Sequence, residues 1–258
     1  MVATLECNIT YQIKVGAPSR GSSPQGKGHE MAMVPSAVGG GSIRTNLKDV
    51  VADHIRNLIF SGQLRPGQKV DQDEIAEVLG VSKLPVREAL ILLENEALVR
   101  GVPRRGVFVA PLTPDDVFDH YEIYGMVEGI AARRAAQNLS DAELEKLAEI
   151  TSQMHKDDLP ERQEKLNYEF HRAINIAGGT PKLLTVLHVL SKTMPARFFE
   201  IAGGWADIAG DQHRQIEAAL RVRDGAAAEQ AMYEHILSGG EYAVEILRES
   251  GFWDDKAE

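Results

Sequence analysis

The sequence is poor in cysteine, in aromatic residues and in long apolar runs, and each shortage removes a class of protein. Cys7 is the only cysteine among 258 residues, so no disulfide can form within the chain and no paired-cysteine zinc spacing exists. A reducing, cytoplasmic setting is the expectation that follows. The apolar run Leu183 to Leu190 is broken by His188 and is too short to span a bilayer, and residues 1–42 hold no uninterrupted apolar stretch of the signal-peptide kind. Neither secretion nor a membrane partner is expected. Aromatic residues make up 6% and hydrophobic residues 43%, which suits an ordinary globular chain long enough for two modest domains.

Positive charge is also in deficit, with a net charge of −10, but the deficit is local. Residues 1–42 carry three basic and two acidic side chains, 43–111 carry ten and nine, and 112–258 carry fifteen and twenty-seven. The acidity belongs to the C-terminal part, which is expected to repel phosphate and stay away from nucleic acid, whereas the middle segment is free to approach it.

Residues 1–42 are rich in Gly, Ser and Pro and lack the periodicity that would bury a face, so they read as a flexible tail. From Leu47 to Ile59 apolar residues recur at helical spacing, and Ser61-Gly62 and Pro66-Gly67 end the element. A short second helix follows around Ile75, Ala76 and Leu79, closed by Gly80. Ser82 is placed to cap a third helix that begins at Lys83, with Pro85 in its first turn and Val86, Ala89, Leu90 and Leu93 as its buried face. Leu98-Val99-Arg100 and Val107-Phe108-Val109 then read as two short strands around a basic loop. Residues 43–111 are therefore expected to form a winged helix-turn-helix.

Beyond Pro111 the pattern is helical throughout, opening on Thr113 and Pro114 and continuing through the capping box Ser140 to Glu143. Stops at Gly178-Gly179, Gly203-Gly204 and Asp224-Gly225 divide it into about six helices, so the fold class is mainly α. The expected divisions are 1–42 as tail, 43–111 as the winged helix, 112–250 as an all-helical bundle and 251–258 as a C-terminal tail.

The outward face of the third helix carries Lys83, Leu84, Arg87 and Ile91, with Arg87 one turn from the end that enters a major groove. A guanidinium there can bond guanine O6 and N7 together, and Arg104 and Arg105 at the wing tip suit phosphate or the minor groove. Against this, short amphipathic helix pairs joined by glycine are common in ordinary bundles. In the C-terminal part, Asn167 and His171 are four residues apart and so stack on one helical face, where both could meet one ion. His213 and His235 could complete such a site from neighbouring helices. On spacing alone the commoner reading of each histidine is a hydrogen-bonded core or surface residue, and the spacing by itself does not establish an ion site.

The run Leu79-Gly80-Val81-Ser82-Lys83-Leu84-Pro85-Val86-Arg87-Glu88-Ala89-Leu90, with Leu93-Glu94 and Leu98-Val99 after it, closely resembles the winged-helix signature of the GntR family. The resemblance implies double-stranded DNA as a partner, a two-fold symmetric operator bound by a homodimer, and DNA contacts from Ser82, Lys83, Leu84, Arg87, Arg104 and Arg105. Lys83-Leu84 stands where the family usually has Arg-Thr, and Asp73 where it often has a DNA-contacting Arg. An unusual operator preference is the expectation, with Leu84 suited to a thymine methyl.

The segments Asn167-Tyr168-Glu169-Phe170-His171, Asp211-Gln212-His213 and Tyr233-Glu234-His235, with Glu128-Gly129-Ile130-Ala131-Ala132-Arg133 upstream, resemble the all-helical FCD domain of the FadR-type branch, in its shorter VanR-like form. That resemblance implies a divalent ion (zinc, nickel or manganese) on Asn167, His171, His213 and His235, and a small organic acid as effector. Arg197 resembles a basic position facing the family's cavity. Tyr124 stands where an Arg is frequent, which turns the expectation from a plain dicarboxylate towards a more apolar or aromatic acid. A transcription regulator, most simply a repressor, is the expected function. Two rivals use the same residues: a metal-dependent enzyme with Glu169 as base, and a sensor for which the ion itself is the signal.

Overall fold

The computed structural model describes residues 46–154, 160–193 and 205–253. Residues 1–42, read above as a tail, and the stop at Gly203-Gly204 lie outside them. Among the described residues there are nine helices and one two-stranded antiparallel sheet, and no described helix is long and apolar enough to cross a membrane.

Helix α1 (Leu47–Phe60) buries Val51, Ala52, Ile55 and Ile59, and its end is turned by Gly62 at φ 72°. In α2 (Gln72–Leu79) the Asp71 side chain accepts from the amides of Asp73 and Glu74, satisfying two donors that the first turn leaves unpaired. Gly80 at φ 63° takes the left-handed conformation that lets the chain turn tightly into α3 (Lys83–Asn95). Ser82 holds the N-cap position of α3 with extended backbone, but its side chain makes no capping bond. Pro85, Val86, Ala89, Leu90 and Leu93 face inward as the spacing requires.

Strands β1 (Val99–Val102) and β2 (Gly106–Val109) pair in the register Val99 to Val109 and Val102 to Gly106. Towards the tip, β1 runs two residues and β2 one residue further than the apolar pattern indicates. Arg104 at φ 62° and Gly106 at φ 110° supply the positive angles of a tight reversal, so only Pro103, Arg104 and Arg105 remain in the loop. Glu94 on α3 accepts the Gly101 amide at 2.8 Å, which ties the wing to the third helix.

Six helices follow among the described residues: α4 (Pro114–Asn138), α5 (Asp141–Met154), α6 (Pro160–Gly178), α7 (Pro181–Thr193), α8 (Trp205–Arg221) and α9 (Gly225–Glu249). Thr113 and Asp116 form a reciprocal capping box on α4, and Ser140 and Glu143 make the matching bonds at α5. Helices α4 and α9 are the most extensively packed pair. Glycines allow their backbones to come close: a Cβ on Gly129 would lie 3.0 Å from the Glu229 carbonyl oxygen, and one on Gly240 would lie 2.6 Å from Tyr121 Cβ. Around this contact Phe170, Ile174, Ile216, Leu220, Met232 and Leu247 form the centre of the bundle.

The chain beyond α9 is packed as far as Trp253. Phe252 is buried, and the Trp253 indole donates to the Leu112 carbonyl at 2.6 Å, so these two residues, assigned above to a tail, close the bundle over the segment that leads from the wing into α4.

Candidate nucleic-acid interface and candidate metal centre

Helix α3 presents Lys83, Leu84, Arg87 and Ile91 to solvent. Leu84 and Ile91 are 65% and 62% exposed, so both aliphatic side chains are available to a partner surface. Lys83 Nζ lies 2.7 Å from Asp73 Oδ1 on α2, and both side chains are exposed. Asp73 therefore both removes a cation from this surface and holds a second one in place. Arg104 and Arg105 stand exposed at the wing tip, and the Arg105 guanidinium lies over the Phe108 ring, 5.6 Å from its centroid.

The structure adds Lys69 to this surface. Residues 67–70 run along β2: the Gly67 amide donates to Val109 O at 3.0 Å and the Val70 amide to Val107 O at 2.9 Å. Lys69 opposes Phe108 and passes its stem over Gly106, where a Cβ would come within 2.9 Å of Lys69 Cε. Its ammonium thus joins the wing arginines from a segment that precedes the helix pair. No local pattern marks a lysine for that role, because the pairing spans 39 positions.

In the bundle, α6, α8 and α9 bring His171, His213 and His235 together. One ring nitrogen from each lies within 4.8 Å of the others, and the residues are 9%, 1% and 3% exposed. The protonation pattern can be traced outward from His235. The Ser238 hydroxyl donates to Glu234 O at 2.8 Å and so accepts from Gln212 Nε2 at 2.9 Å. Gln212 Oε1 is left to accept from His235 Nδ1, also at 2.9 Å. The proton is therefore on Nδ1 and the lone pair on Nε2. Burial first, and the His171 charge second, hold the His235 pKa well below its ordinary value, so the ring is neutral.

On the other side, His171 Nδ1 faces Glu128 Oε2 at 3.5 Å, which directs its Nε2 into the cluster. His171 Nε2 and His235 Nε2 then stand 3.2 Å apart with the two rings stacked. Two lone pairs so placed repel unless a cation or proton lies between them. Ligand nitrogens about 2.0–2.1 Å from a tetrahedral zinc ion are about 3.3 Å from one another, so the present separation already fits a shared ion. The chemistry of the donor set, three imidazoles, suits zinc or nickel, while manganese, the third ion of the expectation, prefers oxygen donors.

Asn167 stands one turn before His171 on α6, half-buried. Tyr124 is on α4 one turn before Glu128. Burial and then the Glu128 charge raise its phenol pKa well above the usual value, so it remains a proton donor. Arg197 lies outside the described residues. Glu169, the base that an enzyme would require, sits 3.9 Å from Lys165 on the outer side of α6 and does not join the histidines. Glu128 and Gln212 were inside segments already singled out, but their contacts with the two imidazoles depend on how α4, α6, α8 and α9 cross.

Comparison with known proteins agrees with both halves. The family described as "Bacterial regulatory proteins, gntR family" matches residues 47–109, and the FCD domain matches residues 119–238. An uncharacterised HTH-type transcriptional regulator of Mycobacterium tuberculosis is 30% identical over 184 residues, covering 71% of this chain and 75% of its own length. The HTH-type transcriptional repressor RspR of Escherichia coli is 26% identical over 207 residues, covering 77% of this chain and 90% of its own. The solved structure of E. coli McbR/YncC superposes with a TM-score of 0.58 at 22% identity, covering 77% of this chain and 97% of that one, which shows a shared fold. This chain belongs to the GntR family of bacterial regulatory proteins: it is a DNA-binding transcription regulator, not an enzyme, with a winged helix-turn-helix followed by an FCD domain.

Proposed function

We propose that the chain is a homodimeric, cytoplasmic repressor whose affinity for a two-fold symmetric operator is set by a small organic acid held at a divalent ion on Asn167, His171, His213 and His235. The observation that carries the effector half of this reading is the facing pair of ring nitrogens, 3.2 Å apart in a nearly dry site. When bound, the ion supplies a Lewis-acid position for a carboxylate. His171 and His235 hold their lone pairs towards it, and Asn167 adds a neutral oxygen. With Tyr124 in place of a cation, the reading favours an apolar or aromatic acid, and Arg197 is assigned to its carboxylate from sequence. The repressor role is supported by the E. coli relative that bears that name.

Dimerisation is supported by α7, an apolar helix of which Leu187 is the one residue buried among those described, while Val186 and Val189 stay exposed. Ile123 and Met126 on the neighbouring α4 are exposed as well. A second copy of the chain laid on this face would remove those side chains from water and set two winged helices over adjacent half-sites. The effector would bias the setting of those winged helices by no more than its differential affinity for the two arrangements.

The DNA half is tested by titrating the protein with DNA from its own upstream region at two salt concentrations. Arg87→Ala is expected to weaken binding about 10–100-fold and to relax selectivity at one base pair. Replacing Arg104 or Arg105 by Ala is expected to weaken all sequences alike and to reduce the salt slope by about 1 for each charge removed. An Arg87→Ala protein that binds and discriminates like the parent would remove α3 as the reading element.

A further inference from the structure

Glu128 is the least explained charge in the protein. It is 0% exposed, lies in the middle of α4, and among the described residues has no lysine or arginine as an ion-pair partner. Asn175 Nδ2 donates to its Oε1 at 2.8 Å, and its Oε2 faces His171 Nδ1 at 3.5 Å. His171 and Asn175 are one turn apart on α6, so that helix turns one hydrogen-bonded amide and one imidazole nitrogen towards the same buried carboxylate, and Glu128 Oε2 and His171 Nδ1 face each other with neither hydrogen-bonded. Tyr124, one turn back along α4, is close enough to feel the same charge. A carboxylate taken out of water without a cation is costly, and neutral donors offset only part of that cost.

The proposed ion site has the complementary deficit. Asn167, His171, His213 and His235 are neutral as ligands, so a dication there would meet no formal negative charge from the residues that touch it. We propose that Glu128 is the positioning residue that supplies this charge from one bond further out, by accepting the His171 Nδ1 proton and thereby fixing Nε2 as the ligand atom and strengthening it as a donor. The inference rests on the reading of the histidine cluster as an ion site. It assigns Glu128 and the ion the same function for each other: the carboxylate compensates the dication through the imidazole, and the dication offsets the cost of burying the carboxylate. Asn175 holds the other carboxylate oxygen of Glu128, and its own Oδ1 has no hydrogen-bond partner among the described residues.

The test measures binding of zinc, nickel and manganese ions alone to the full chain, in competition with a chromophoric chelator. Glu128→Gln keeps the shape of the side chain and its acceptor for Asn175 but removes the charge. It is expected to weaken ion binding about 10–100-fold, the range typical of outer-sphere partners of ligand histidines, without lowering the unfolding midpoint of the ion-free protein. Asn167→Asp restores a formal charge at the ion, so in the Glu128→Gln background it is expected to recover most of the loss. A purely structural role for Glu128 would give no such rescue. Equal affinity in Glu128→Gln and parent would overturn the proposal and leave the ion site standing, whereas a parent that binds none of the three ions would overturn the site itself. If Glu128→Gln does not fold, nitrogen NMR of the ion-loaded parent decides instead. A proton on His171 Nδ1, shifted downfield of that on His235 as a carboxylate acceptor demands, supports the proposal, and coordination through Nδ1 overturns it.

Discussion

Replacing Arg56 by Ala is expected to lower the unfolding free energy of the winged helix by about 3–5 kcal/mol, the cost of leaving one member of a buried ion pair alone. Arg56 on α1 is 1% exposed. Its Nε and Nη2 donate to the two oxygens of Glu96 at 2.9 and 2.6 Å, and the Glu96 side chain is itself only 4% exposed. Glu96 caps the C-terminal end of α3, so this two-pronged bond sets the angle of the recognition helix against α1 and fixes where the wing begins. Asp53 also touches Arg56 but is half exposed, which screens its share. Chemical denaturation followed by circular dichroism checks the figure. Replacing both partners at once, Arg56→Met with Glu96→Leu, is expected to recover most of the loss, because an apolar pair of similar volume leaves no charge stranded. A double variant as unstable as Arg56→Ala would mean that the site needs the bonds themselves.

The second large effect is expected from the ion. A ligand present at 100 times its dissociation constant that binds only the folded state adds about 2.7 kcal/mol to the unfolding free energy. Zinc, nickel or manganese should therefore raise the thermal midpoint, and His235→Ala should abolish the rise while leaving the winged helix intact. The ion-free protein has a matching pH dependence. His235 is held well below its ordinary pKa by burial and then by the His171 charge, and burial lowers His120 to about 4. Both rings must stay neutral in the fold, whereas in the unfolded chain each titrates near about 6.5. Their contribution to stability is thus complete above that value and is lost as the pH falls towards 4. A midpoint that did not move between neutral pH and pH 4 would contradict the burial of both rings.

Much of this was legible in the sequence because it is local. Gly80, the capping residues Thr113 and Ser140, Pro85 and the spacing Val86, Ala89, Leu90, Leu93 each act within one or two turns, and the observed helices start and stop at them. The three histidines came together as the resemblance implied, because each sits at a fixed position on a helix whose crossing the fold sets. What sequence reasoning missed depends on pairs that only the packing of different elements brings together. Lys69 reaches the wing only because its segment lies along β2. Glu128 meets His171 across the contact of α4 with α6. Asp73 holds Lys83 across the turn between α2 and α3. Helix α7 shows the same limit from the other side: its apolar pattern marks a face to be covered but does not name the surface that covers it.

The most direct test of the central claim is the operator affinity of ion-loaded protein, titrated with a panel of apolar and aromatic carboxylic acids in parallel with His213→Ala. His213 takes part in the cluster and is not among the residues of the DNA-reading face of α3. At least one acid is expected to change the affinity of the parent by about fivefold or more, the lower range of measured site-to-site coupling, and to leave His213→Ala unchanged. An affinity that follows the ion alone would make the ion the signal. An affinity indifferent to both ion and acid, in a parent that still binds its operator, would contradict the account and leave the histidine cluster as part of the core.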